Sequence, residues 1–118
     1  NSSSYIIRII GNKNPTEGIL LLKAENGMLI MDVLEIAPNN IGKNKEYDFV
    51  AGCLIAFACR ESFKVESNYK GYLTFTAKTN LIPWYSEKYG AELALGQKMF
   101  ISPENGEKLI NEYLYRKL

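Results

Sequence analysis

Apolar and polar positions divide this chain into short blocks whose period switches between two and 3.6. Residues 5–10, Tyr-Ile-Ile-Arg-Ile-Ile, favour a strand that ends at Gly11, and a polar turn follows over 11–17. Residues 19–22 are wholly apolar, which suits an inner strand covered on both faces. Asn26-Gly27 separates them from a second apolar run over 28–36, the strongest short signal for a hairpin. Pro38 stops that third strand because it has no ladder donor. Three antiparallel strands are expected first.

A long helix comes next. Asp48 stands where an N-cap belongs, and residues 49–58 follow without a charge, so apolar side chains occupy nearly every face. A strand feeding a helix through a loop leaves unpaired amides at the helix start, and small residues such as Ala51 and Gly52 would let an anion come close. Residues 64–70 form a polar loop, and 71–78 alternate Tyr/Thr/Thr against Leu/Phe/Ala as a strand does. Thr79 or Asn80 caps a short helix over 81–89, with Pro83 in its first turn and Gly90 closing it. Two short strands at 92–95 and 98–101 flank Gly96. Ser102-Pro103 opens a final helix whose apolar stripe is Leu109, Ile110, Tyr113 and Leu114. The order predicts an α+β (α/β mixed) single domain over 1–118, built on a largely antiparallel sheet.

Composition narrows the chemistry. The chain has 118 residues, enough for one core without staples, and 14 basic against 13 acidic residues give a net charge of +1. That balance offers no basic face for nucleic acid, and Lys43, Lys45 and Tyr47 are too small a cluster to change it. There is no histidine, which removes His triads, His metal sites and the usual neutral-pH base. Cys53 and Cys59 fall six residues apart on one helix, about 9 Å along its axis and on different faces, so they cannot pair. Both read as buried thiols of a reducing, cytoplasmic compartment. The longest apolar run, residues 49–59, is too short to span a bilayer, so no membrane partner is expected.

Three stretches of the chain resemble the GNAT superfamily of N-acetyltransferases. Leu34-Glu35-Ile36-Ala37-Pro38 is similar to the strand that ends in x-Val-x-Pro. Residues 49–57, Phe-Val-Ala-Gly-Cys-Leu-Ile-Ala-Phe, are similar to the Gly-x-Gly/Ala-x-x-Leu-Leu run that opens the central helix. Residues 79–91 are similar to the Asn…Tyr…Gly-Phe segment. Aligned on Ala51, the Arg/Gln position of the pyrophosphate motif is Glu46 and its first glycine is Phe49. The family's first strand and two following helices have no counterpart, and the helix after Ser102 is additional.

The resemblance implies a GNAT-like fold, with acetyl-CoA as co-substrate and a primary amine, on a small molecule or peptide, as acceptor. It implies a bulge at Ile36 and Ala37 whose free amides hold the thioester carbonyl. The amides of Val50, Ala51, Gly52 and Cys53 would receive the pyrophosphate, with Lys45 offsetting Glu46 and Asp48. Tyr85 would protonate the departing thiolate, against a packing role within the Trp84, Tyr85 and Tyr89 cluster. Glu35 would deprotonate the amine, against a structural role, while Asp32, three residues earlier, should face the other way on a regular strand. The altered motif and missing helices also fit a second reading, a fold relative without catalysis that serves as a binding or assembly module. An absent first strand would leave a sheet edge for a second copy, as in a homodimer.

Overall fold

The computed structural model describes residues 2–9, 16–36 and 44–115, with side chains over 18–36 and 47–115. Strands β1 (Ser2–Ile9), β2 (Thr16–Glu25) and β3 (Met28–Ile36) precede helix α1 (Asn44–Ser62). Then come β4 (Leu73–Thr76), a 3-10 turn at Thr79–Leu81, α2 (Ile82–Tyr89), β5 (Glu92–Leu95), β6 (Lys98–Ile101) and α3 (Pro103–Tyr113). The six strands make one mixed sheet in the order β1-β2-β3-β4-β6-β5. The chain is thus an α+β fold with the expected element order.

Local chemistry explains most boundaries. Asn26 and Gly27 both take positive φ, 54° and 80°, the backbone that a two-residue hairpin turn needs. Ser102 caps α3 by accepting the Asn105 amide at 3.3 Å, with Pro103 in the first turn. Gly90 closes α2 in the left-handed region at φ 70°. Neither Thr79 nor Asn80 caps α2. Both lie in the 3-10 turn, where the Thr79 hydroxyl accepts from Gln97 Nε2 at 3.0 Å.

One face of the sheet carries the core. Leu20 and Leu22, Leu29 and Met31, Leu73 and Phe75, and Met99 and Ile101 are all buried. Val50, Leu54, Ile55 and Cys59 of α1 join them, and Leu109 and Ile110 of α3 complete the cluster. Gly18 permits close approach: a Cβ there would stand 2.6 Å from Leu54 Cδ1. The strand residues that alternate with this set are more open. Ile19 is 41% exposed, Leu21 is half-buried, and Asp32, Thr76 and Lys98 are exposed. The expectation that residues 19–22 are covered on both faces is corrected. β2 is an inner strand, yet among the described residues no helix covers its second face.

Helix α1 starts five residues earlier than its apolar run implied, so Asp48 lies inside it and is no N-cap. The reason is tertiary. The Asp48 carboxylate is held by α2, with Trp84 Nε1 donating to Oδ1 at 2.9 Å and Lys88 Nζ 3.1 Å from Oδ2. Helix α3 packs along α1 where Gly52 and Cys59 share a face. A Cβ at Gly52 would fall inside the ring of Tyr113, and one at Gly106 would lie 3.4 Å from Cys59 Cβ. Replacing an interior helical glycine by alanine ordinarily stabilises by about 1 kcal/mol. Here overpacking should reverse the sign: Gly52→Ala is expected to destabilise by about 1–3 kcal/mol in urea unfolding, and Tyr113→Leu should restore most of the loss in the double variant. Stabilisation by Gly52→Ala alone would show that the ring does not occupy that space.

Candidate functional site

The sheet parts where its two halves meet. β3 and β4 run parallel but pair only at Leu29 with Leu73 and Ile30 with Thr74, and the Thr74 hydroxyl donates to the Leu29 carbonyl at 3.3 Å. Beyond Ile30, β3 continues to Ile36 laddered to β2 alone. Its other edge therefore faces a gap over five to six residues.

The irregularity seen among the described residues lies before Ile36, and Ala37 is outside them. Register with β2 shifts between Leu21 and Leu22, whose partners are Val33 and Met31, leaving Asp32 as the extra residue of a bulge. The bulge changes which way the acids point. Met31 is buried and Leu34 and Ile36 pack on the core, whereas Asp32 and Glu35 are both exposed. Glu35 pairs with Ile19 and Asp32 reaches Lys23 at 3.7 Å, so both carboxylates lie on the helix-free face. The expectation that Asp32 points opposite to Glu35 is corrected. A signal was present: buried positions run 29, 31 and then 34, 36, a one-residue slip in the alternation.

Tyr85 lies on the other face of the sheet. Its ring packs on Phe75 of β4 at 4.7 Å and on Trp84 at 4.8 Å. Its hydroxyl makes no hydrogen bond among the described residues, and none of their buried side-chain polar atoms lacks a partner, so the oxygen reaches solvent. Burial pushes the phenol above the ordinary tyrosine value, and the nearby Tyr47 phenol adds to the shift. Tyr89 is used otherwise, since its hydroxyl donates to the Asp48 carbonyl at 2.7 Å. Trp84 packs edge-on against Tyr89 at 5.0 Å and donates to Asp48. Both serve packing, as the cluster at helical spacing suggested.

The helix start does not offer the amides that sequence reasoning assigned. Val50, Ala51, Gly52 and Cys53 stand seven to ten positions into α1, counting Asn44 as the first. Their N–H groups belong to the helix ladder, because only the first four lack an intrahelical acceptor. Val50 and Ala51 are buried and Tyr113 covers Gly52, so no diphosphate reaches them. The amides without an intrahelical acceptor are those of Asn44, Lys45, Glu46 and Tyr47. Lys45 is in this first turn; its side chain and that of Glu46 lie outside the described residues, as do Ala37, Pro38 and Lys43. Ile36 is half-buried at the end of β3, paired with Gly18.

Among the described residues no group of three His, Cys, Asp or Glu could hold a metal ion, and no helix is long and apolar enough to cross a membrane. Comparison of the chain with protein-family models, curated proteins and solved structures gave no match.

Two outcomes follow from this geometry. Asp48→Ala strands the Trp84 N–H and should destabilise by about 1–3 kcal/mol, whereas Lys88→Ala, at a half-exposed pair, should cost under about 1 kcal/mol. Equal losses in thermal unfolding would contradict this ranking. Stability should also fall in alkali. Burial raises the Cys59 thiol from 9.0 to about 12 and raises the Tyr85 and Tyr89 phenols, so above pH 9 the unfolded chain releases protons that the native state keeps. The slope is negative, about 1.4 kcal/mol per pH unit for each such proton, and the stability present below pH 9 is lost progressively above it. Urea midpoints between pH 7 and 10.5 check this; Cys59→Ala should make the decline shallower just above pH 9, and a flat profile for the parent would refute it.

Proposed function

We propose that this chain is a GNAT-like N-acyltransferase that takes acetyl-CoA as co-substrate and passes the acetyl group directly to a primary amine. The observation that carries the reading is the gap between β3 and β4. A parallel pair that keeps two rungs and then separates leaves backbone donors and acceptors of β3 unladdered, and an amide-rich pantetheine chain can take their place. In this reading the gap opens to both faces of the sheet. A thioester lying in it would have Glu35 on one side and Tyr85 on the other.

Each residue has a defined part in that scheme. Glu35, exposed at the end of β3, accepts a proton from the incoming ammonium directly or through water. The free amine attacks the thioester carbonyl, and the β3 amides toward Ile36 take the oxyanion. The carbon–sulfur bond then breaks, Tyr85 gives its proton to the departing thiolate, and the surplus proton on the nitrogen passes back to the phenolate. A phenol held above its ordinary value stays protonated at neutral pH, so the proton is in place when the thiolate forms. The diphosphate falls to the first turn of α1, at Asn44 to Tyr47 with Lys45, where the helix dipole favours negative charge.

A specific observation also favours a second reading, a binding module on the same fold. Gly52, the small residue at the heart of the motif, is used for packing under Tyr113. The two readings separate on titration. Acetyl-CoA at about 100 times its dissociation constant should stabilise the protein by about 2.7 kcal/mol, a rise in melting temperature on the order of 10 °C. No shift at millimolar concentration would end the acyltransferase reading. With binding established, Tyr85→Phe should lower turnover about 10²-fold while cofactor affinity stays within a few-fold. An unchanged rate would leave Tyr85 a packing residue only.

A further inference from the structure

The helix-free face holds a concavity of about 730 Å³, within the range of small-molecule sites, that the scheme above leaves unused. Asp32 and Lys23 form one side of it, Lys98 the other, and Tyr69, Tyr72 and Phe100 its apolar wall. The Tyr72 and Phe100 rings lie 6.2 Å apart at 47°, and Tyr69 is 48% exposed. This wall is fixed in place. The Ser67 hydroxyl donates to the Gly27 carbonyl at the hairpin tip and accepts the Tyr69 amide at 3.0 Å, tying loop 66–70 to the β2–β3 turn.

The charges of the concavity are arranged asymmetrically. Lys23 already faces two carboxylates, Asp32 at 3.7 Å and Glu25 at 3.9 Å. Lys98 makes no ion pair among the described residues. The pocket therefore offers acceptor oxygens on β3 and an unengaged ammonium on β6. Thr76 of β4 pairs with Lys98, and β4 stands between β3 and β6 in the sheet. At least two ladder spacings, about 10 Å or more, separate the backbones that carry the two charges. An α-amino acid is too short to meet both. Asp32 shares its face with Glu35, which directs an amine held there toward the gap.

We infer that this concavity is the acceptor pocket, and that it takes a primary amine joined through a ring-sized apolar body to an acidic group. The inference rests on the acyltransferase reading for the fate of the amine, though not for its binding. The ammonium meets Asp32, the ring lies against Tyr69, Tyr72 and Phe100, and the acid meets Lys98. Ser67 is a positioning residue that acts through Tyr69.

Calorimetric titration of the cofactor-free protein tests this with three probes: 4-(2-aminoethyl)benzoate, 2-phenylethylamine and 4-ethylbenzoate. The first should bind at least tenfold more tightly than either half. Lys98→Met should reduce it to the level of 2-phenylethylamine and leave that amine unchanged. Asp32→Asn should weaken both amines and leave 4-ethylbenzoate unchanged. Both side chains are exposed, so these variants should keep the parent melting temperature. Ser67→Ala should weaken all three probes, which a purely electrostatic site would not show. Equal affinities for the three probes, or none for any while acetyl-CoA still raises the melting temperature, would overturn the inference and spare the acyltransferase reading. Selective binding without an acetyl-CoA shift would do the reverse.

Discussion

Two rungs of parallel ladder hold the halves of this sheet together. On one side β1, β2 and β3 form an antiparallel unit; on the other β4, β6 and β5 form a second; Leu29–Leu73 and Ile30–Thr74 join them. So short a seam would not unite two three-stranded units alone. Helix α1 supplies the rest, burying Val50, Leu54 and Ile55 in the cluster that contains core residues of both halves. Because the helix bears that burden, β3 and β4 need not stay paired to their ends. The gap between them is a consequence of where the apolar area lies.

The same division of labour orders the chemistry. Residues facing α1 and α2 are engaged in burial and hydrogen bonds, with Tyr89 and Trp84 both committed to Asp48. The Tyr85 hydroxyl makes no hydrogen bond among the described residues. On the other side the acids of β3 point away from the core because the bulge at Asp32 turns them there. Glu35 thus stands exposed on the face away from Tyr85, and its carboxylate is not buried as an ion. That placement avoids the desolvation which an internal carboxylate would suffer.

Much of the fold was legible in the sequence, for local reasons. Asn26-Gly27 and Ser102-Pro103 act within a few residues of themselves, and turn and cap chemistry is nearly independent of the rest of the chain. The beginning of α1 was not, because Asp48 is a good cap by type yet is drawn to Trp84 and Lys88. Their separations of 36 and 40 residues leave no local trace. Gly52 misled in the same way: its bareness suits a phosphate or a neighbouring ring, and only the position of α3 decides between them. The concavity of the second face draws on β2, β3, β4, β6 and the 66–70 loop, so no single stretch of sequence announces it.

Among the described residues the helices lie on one side of the sheet, which leaves two unequal surfaces to vary. Against α1 a change of one methylene is felt, as Gly18 and Leu54 illustrate by their close approach. On the bare side Ile19, Asp32, Thr76 and Lys98 meet chiefly solvent. Specificity built there can drift from one ligand to another through single surface replacements while the interior is left alone. The architecture separates what must be kept from what can be rewritten.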